Sequence, residues 1–313
     1  MVDVLSDVIA LMRSGAPRSA RVAWREPWGR RFPAAPGSAG FQVVLRGSCR
    51  LYPPSGEPVP LGVGDVVFFP HGHGYGMAAG SARPPREPVC DPLEEGELFV
   101  SDAVPGDGAV TVTLCGGYRL DPGRAHPLLR DLPEMIHLPA GLGRRPELRA
   151  AIDLLAGEID RPRPGADTVV LALLDMLLLY ILRAWFAERP AGAGATGWAA
   201  ALADPAVSAA LHAMHADPAH PWTVRTLAAK AGLSRAAFAR RFTALVGRPP
   251  LTYLTWWRLT GAARVLRESG APLAEVAARA GYTSEYAFAN AFKREYGIAP
   301  GGYRRQGRSG QPA

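Results

Sequence analysis

The sequence predicts an α+β multidomain protein: an N-terminal β-barrel with flanking helices, then an all-helical domain of two helix-turn-helix units in tandem. Three observations predict it. Residues from about 21 to 120 alternate β-branched and aromatic runs with Gly, Pro and Asp punctuation. The C-terminal third carries one local pattern twice, fifty residues apart. Charge divides along the same line: residues 204–308 hold 15 Lys and Arg against 6 Asp and Glu, net +9, whereas residues 1–203 hold 20 against 22, net −2.

A chain of 313 residues has length for about two domains, each able to bury a core. At 48% hydrophobic and 20% charged residues it is not a disordered protein. Cys49, Cys90 and Cys115 are odd in number and lack CxxC spacing, so neither a disulfide framework nor a zinc ribbon is indicated, and a reducing cytoplasm is expected.

Taken in order, the N-terminus MVDVLSDVIALMRSG lacks the basic start and continuous apolar core of a signal peptide. Its Leu and Val spacing suits a short amphipathic helix. FQVVLRGSCRLY, GEPVPLGVGDVVFFPHGHGY and AVTVTLCGGYRL then read as short strands joined by turns, the pattern of a small barrel. Two helices follow, PELRAAIDLLAGEID and GADTVVLALLDMLLLYILRAWFAE. The apolar run at 169–182 contains Asp175 and is shorter than the ~20 residues a bilayer crossing needs, so a buried helix is expected and no membrane partner. Its stripe of Leu171, Leu174, Leu178 and Ile181 suits either pairing between subunits or covering the barrel of its own chain. AERPAGAGATG has the composition of a linker. The expected divisions are a sensor and dimerisation domain at 1–186, a linker at 187–203, the repeat domain at 204–308 and a tail at 309–313.

In the repeat, Ser234 and Ser284 are each followed at +4 and +8 by Phe (Phe238, Phe242; Phe288, Phe292). Gly247 or Gly297 stands at +13, Pro250 or Pro300 at +16, and Tyr253 or Tyr303 at +19. LAAKAGLS and VAARAGYTS precede the two copies as small-residue helices ending in a glycine turn. Serine can accept a hydrogen bond from the orphan amides of a helix start, and Ala228 and Ala231 are small enough for two helices to cross closely. Phenylalanines four apart share one face and must point inward. The outward set is then Arg235, Ala236, Ala239, Arg240 and Arg241 in the first unit, and Glu285, Tyr286, Ala287, Ala289, Asn290, Lys293 and Arg294 in the second. LTYLTWWRLTGAARVLRESG reads as one connecting helix with Leu254, Trp257, Ala262 and Leu266 buried. A net positive domain carrying two such units is what binding to a polyanion requires.

The stretch at about 204–305, with GLSRAAFARRF, AEVAARAGY and GIAPGGYRR, closely resembles the DNA-binding domain of AraC/XylS-family transcriptional regulators. The order "strand, VLRG, strand, LGVGDVVFFPHG", with its Gly64-Asp65 turn, resembles the cupin-type sensor domains of that family. The resemblance implies a cytoplasmic, dimeric activator of transcription with promoter DNA and RNA polymerase as partners, although the residues themselves do not distinguish activation from repression. It also implies recognition helices at about 234–246 and 284–296. Resemblance and helical geometry together assign base contacts to Ala236, Ala239, Arg240, Tyr286, Ala289 and Asn290, and phosphate contacts to Arg235, Arg241, Lys293 and Arg294.

Three signals are open to the sensor. His71 and His73, with Cys115, His126 and His137 downstream, are transition-metal ligand types, but the stretch that holds an HxH pair in enzymatic cupins is here FQVVLRG, with Gln42, and Tyr75 stands where related sensors often have a second histidine. No metal or other cofactor is therefore expected. Cys115, in TLCGGY, reads as a thiol at a strand end beside two glycines, a candidate redox switch. An organic effector in the barrel mouth is the default, with Gln42, His71, His73 and Tyr75 as polar contacts. An enzyme fused to DNA-binding helices is disfavoured by the missing HxH and carboxylate. A non-specific architectural protein is disfavoured by two readers with different outward side chains.

Overall fold

The computed structural model describes residues 3–12, 15–84, 97–120, 126–141, 145–188 and 197–309. Cys90, linker residues 189–196 and tail residues 310–313 lie outside the described residues. The chain divides into two compact units, Met12–Pro190 and a second made of Met1–Leu11 with Ala191–Ala313.

The second unit therefore begins with α1 (Val4–Met12), all but its last residue. In the first unit the described strands are β1 (Arg18–Arg25), β2 (Trp28–Phe32), β3 (Ser38–Arg46), β4 (Cys49–Tyr52), β5 (Val59–Leu61), β6 (Val66–Phe69), β7 (Tyr75–Ala79), β8 (Phe99–Val104), β9 (Val110–Arg119) and β10 (Ile136–Leu138), with α2 (Pro127–Arg130) before β10 and α3 (Pro146–Asp160) and α4 (Ala166–Ala187) after it. One sheet runs β10-β6-β3-β9-β1-β8 and the other β2-β7-β4-β5.

The two-residue period of a strand explains how each face is used. On β3, Val44 joins the core between the sheets with Trp24, Trp28, Leu51, Phe69 and Met77. Gln42, two residues earlier, shares that inner face. Phe41 faces the other way and lies 6.1 Å from the Tyr118 ring, whose hydroxyl donates to the Leu174 carbonyl of α4 at 2.7 Å. Inside, Trp24 stacks on Trp28 at 5.0 Å, and Tyr75 stacks between Phe32 and Phe69 at 4.7 and 4.1 Å. Stacked aromatic rings thus share the barrel interior with aliphatic side chains such as Val44, Leu51, Leu61, Val67 and Met77.

Helix α4 resolves the two readings of its leucine stripe. Leu174 and Ile181 have no exposed surface and Leu178 has 3%, so these residues form the core of their own unit. Leu171 is half-buried. The helix is 22 residues, longer than the apolar run suggested and sufficient by length and composition to cross a membrane, yet it packs along α3 and onto Tyr118.

The second unit continues with α5 (Trp198–Ala203), α6 (Pro205–Ala216), α7 (Val224–Lys230), α8 (Arg235–Val246), α9 (Pro250–Glu268), α10 (Leu273–Arg279), α11 (Glu285–Tyr296) and α12 (Pro300–Ser309). Helix α9 is the predicted connector, and Leu254, Trp257, Ala262 and Leu266 are all buried on it. The N-terminal segment departs from the grouping the sequence suggested, because Asp7 and Ala10 of α1 bond to His215 and Arg264 of the helical unit.

Candidate nucleic-acid interface

The two copies of the repeat are alike at atomic detail. Ser234 Oγ accepts from the Ala237 amide at 3.3 Å and Ser284 Oγ from the Ala287 amide at 3.4 Å, so each serine caps its helix as its type predicts. Phe238 and Phe242 are fully buried with centroids 5.6 Å apart, and Phe288 and Phe292 repeat both features. Tyr253 lies 5.9 Å from Phe242, and Tyr303 lies 5.3 Å from Phe292.

The turns between paired helices also match. After α7 the Leu233 amide donates to the Ala228 carbonyl at 3.0 Å, and after α10 the Tyr282 amide donates to the Ala277 carbonyl at 2.9 Å. Each closes a left-handed helix terminus that needs positive φ, supplied by Gly232 at 65° and Gly281 at 74°. At Gly281 a side chain is excluded twice over, since a Cβ there would lie 2.8 Å from the Ala219 carbonyl oxygen.

With the phenylalanines turned in, the opposite face of each helix is turned out. On α8, Arg235, Ala236, Arg240 and Arg241 are exposed and Ala239 is half-buried. On α11, Glu285, Ala287, Asn290, Lys293 and Arg294 are exposed, Ala289 is half-buried, and Tyr286 is 78% exposed, a large ring standing in solvent. Arginine can pair bidentately with guanine and asparagine with adenine in the major groove, while lysine and arginine neutralise phosphates.

The structure adds roles that sequence reasoning missed. Arg241 Nε donates to Asp204 Oδ2 at 2.6 Å, while Asp204 Oδ1 caps α6 by accepting from the Ala206 and Val207 amides at 3.1 and 2.9 Å. Arg258 donates to the Pro218 and His220 carbonyls, and burial lowers the pKa of its guanidinium. Arg264 pairs with Glu268, and Arg279 with Glu275. Part of the net +9 therefore serves the fold. A basic residue followed four positions later by an acidic one was the available signal for Arg264, and the reverse order for Arg279.

In the barrel, Gln42 Nε2 donates to the Tyr75 hydroxyl at 2.8 Å, so two of the expected effector contacts satisfy each other. His71 Nε2 lies 2.9 Å from the Leu132 carbonyl. His73 Nδ1 and Trp28 Nε1 are buried with no hydrogen-bond partner among the described residues. His126 Nδ1 accepts from the Leu128 amide and caps α2, and His137 lies 3.7 Å from Asp65. No cluster of three His, Cys, Asp or Glu side chains among the described residues could hold a metal ion.

Cys115 is not at a strand end. It lies within β9, opposite Ala20 of β1 and Gln42 of β3, because the strand continues through Gly116 and Gly117 to Arg119. It is half-buried on the same inward face as Thr113, which accepts from Trp24 Nε1 at 2.8 Å. The Cys49 thiol is pushed up to about 12 by burial and by nearby Asp65, which keeps it protonated and inert.

A cupin family model matches residues 3–187, and a helix-turn-helix domain model matches residues 227–306. Two relatives named "Putative AraC-like transcription regulator" are similar to nearly the whole chain. That of Streptomyces antibioticus is 36% identical over 97% of this chain and 99% of its own length. That of Streptomyces lividans is 35% identical over 97% and 98%. Among solved structures, the DNA-binding domain of AdpA, the global transcriptional factor, in complex with a target DNA, is 37% identical over 35% of this chain and 97% of that one, with a TM-score of 0.33.

Proposed function

Because this chain belongs to the AraC family of DNA-binding transcriptional regulators, we propose that it reads a two-part promoter site with α8 and α11 in successive major grooves of one DNA face. The observation that carries this is the pair of matched helices with unlike outward side chains, Ala236, Ala239 and Arg240 on one and Tyr286, Ala289 and Asn290 on the other. Helix α9, at 19 residues, is roughly 28 Å long, close to the ~34 Å turn of B-DNA that separates successive grooves. Arg235, Lys293 and Arg294 are assigned to phosphates, and Arg241 to phosphate with whatever donors its Asp204 pairing leaves.

The barrel is the effector-responsive half of a non-enzymatic regulator. Buried His73 Nδ1, which has no hydrogen-bond partner among the described residues, supports a polar organic effector that would contact it together with Gln42, His71 and Tyr75. The regulator works in the cytoplasm, where promoter DNA and RNA polymerase are reached, and as a homodimer. Exposed Leu154 on α3 and exposed Val169 and Met176 on α4 support the dimer, since these helices pack together and leave apolar side chains outward.

Selection of bound sequences from random duplex DNA tests the reading. Two conserved boxes centred roughly 10 base pairs apart are expected. One box, or none, would overturn it.

A further inference from the structure

His215 on α6 has no exposed side-chain surface and stands in the middle of a polar chain. Its Nε2 lies 2.7 Å from the Tyr253 hydroxyl and its Nδ1 lies 3.3 Å from Asp7 Oδ2. A carboxylate can only accept, so Nδ1 holds the proton and donates to Asp7, and Nε2 is left to accept from the Tyr253 hydroxyl. The relay therefore has one direction, Tyr253 to His215 to Asp7. The imidazole is also clamped by Trp257, stacked at 3.8 Å.

This chain crosses four elements. Asp7 lies on α1, His215 on α6 and Tyr253 on α9, and the Tyr253 ring contacts Phe242, the inward residue of α8. Helix α1 is fixed at its other end by Arg264, which donates to the Ala10 carbonyl at 2.8 Å. A cavity of about 330 Å³ remains beside it, lined in part by Asp7, His215 and Trp257. The second repeat has a different arrangement: at the matched position, Tyr303 accepts from Arg267 Nη1 at 2.5 Å.

We propose that Asp7 and His215 are positioning residues for the first reader, with α1 supplying the carboxylate that orients His215 so that His215 holds Tyr253 and Tyr253 seats α8. Through Asp7 the N-terminal helix is then a working part of the first reader, by a side-chain relay that the second reader does not repeat.

The relay needs a neutral ring. Burial lowers the His215 pKa from its ordinary 6.5, helped by nearby His212 and opposed by Asp7. The other titratable or charged groups facing this region are Tyr253, Arg258 and Arg264 on α9 and Arg279 on α10. For a histidine whose folded pKa is depressed, the stabilisation is complete above about 6.5 and is lost as pH falls below it.

The inference rests on the two-reader proposal only for its effect on DNA, so hydrogen exchange on the free, full-length protein is measured separately. In D7L, which removes the acceptor, the amides of α8 are expected to lose roughly tenfold in protection while α11 is unchanged, the size of one charge-assisted hydrogen bond. D7N keeps an acceptor and should retain most of the protection. On DNA, D7L should weaken only the half-site assigned to α8. In the parent protein, lowering pH from 7.5 to 5.5 should reduce protection of α8 before that of α11, which keeps the test independent of whether D7L folds. Equal loss in both readers, D7N no better than D7L, or no difference between α8 and α11 across the pH range would overturn the proposal.

Discussion

Arg241 shows at the scale of one residue why a basic side chain on the right face of a helix is not automatically a DNA contact. Helical periodicity places it outward with Arg240, but its partner Asp204 lies 37 positions earlier in the chain and could not be found from local spacing. Replacing Arg241 with Ala leaves a carboxylate that is only 8% exposed without its guanidinium, although two amides still satisfy it. Because the Arg241 side chain is 53% exposed, the cost should be about 1 kcal/mol of unfolding free energy. Arg235→Ala, measured by the same denaturant titration, should cost little. Cys115 illustrates the opposite limit. Its neighbouring glycines suggested a strand end, whereas cross-strand pairing with β1 and β3 carries the strand through them, a long-range effect that local composition does not contain. If Cys115 is the sensing thiol, Cys115→Ser should abolish a reporter response to oxidant and leave a response to an organic effector intact. An unchanged oxidant response in that variant would remove the thiol from the account.

At the scale of elements, the sequence was most legible where a local rule decides the outcome. Capping serines, inward phenylalanines and glycine turns are set within a few residues of one another, and both helix-turn-helix units match their sequence reading. Three β runs of the barrel, at 41–52, 56–75 and 109–120, were legible for the same reason, whereas β1, β2, β8 and β10 lie outside them. What could not be read was which side of α4 faces its own core, because apolar residues surround much of that helix: Leu174 is fully buried while Met176, two positions on, is 40% exposed. The distinction can be measured. Leu174→Asp places a charge where no partner or water reaches it, at a cost of about 3 kcal/mol or more, and should unfold the barrel unit. Met176→Asp should leave the fold intact and convert the proposed dimer to a monomer in sedimentation. A dimer that survives Met176→Asp would mean that the outer face of α4 is not the subunit contact.

At the scale of the whole molecule, the division of charge along the chain identified the DNA-binding end but not its full membership. The N-terminal segment carries Asp7 and few charges, so nothing in its composition announced that it packs in the helical unit. That link depends on His215, more than two hundred residues away in sequence. The net charge of +9 also overstates what reaches DNA, since Arg258, Arg264 and Arg279 are engaged by the protein itself. If ~5 to 8 phosphates are neutralised, log K for the full-length chain should fall with log salt at a slope of roughly −4.5 to −7, and a flat response would remove the electrostatic basis of binding. The most direct test of two independent readers is the affinity of Arg240→Ala and Asn290→Ala for every single-base variant of a selected site. Each substitution should relax base preference by ~1 to 3 kcal/mol in one half of the site and leave the other half sharp. A uniform loss of affinity in both variants, with base preferences unchanged, would contradict the account and assign these side chains to the DNA backbone.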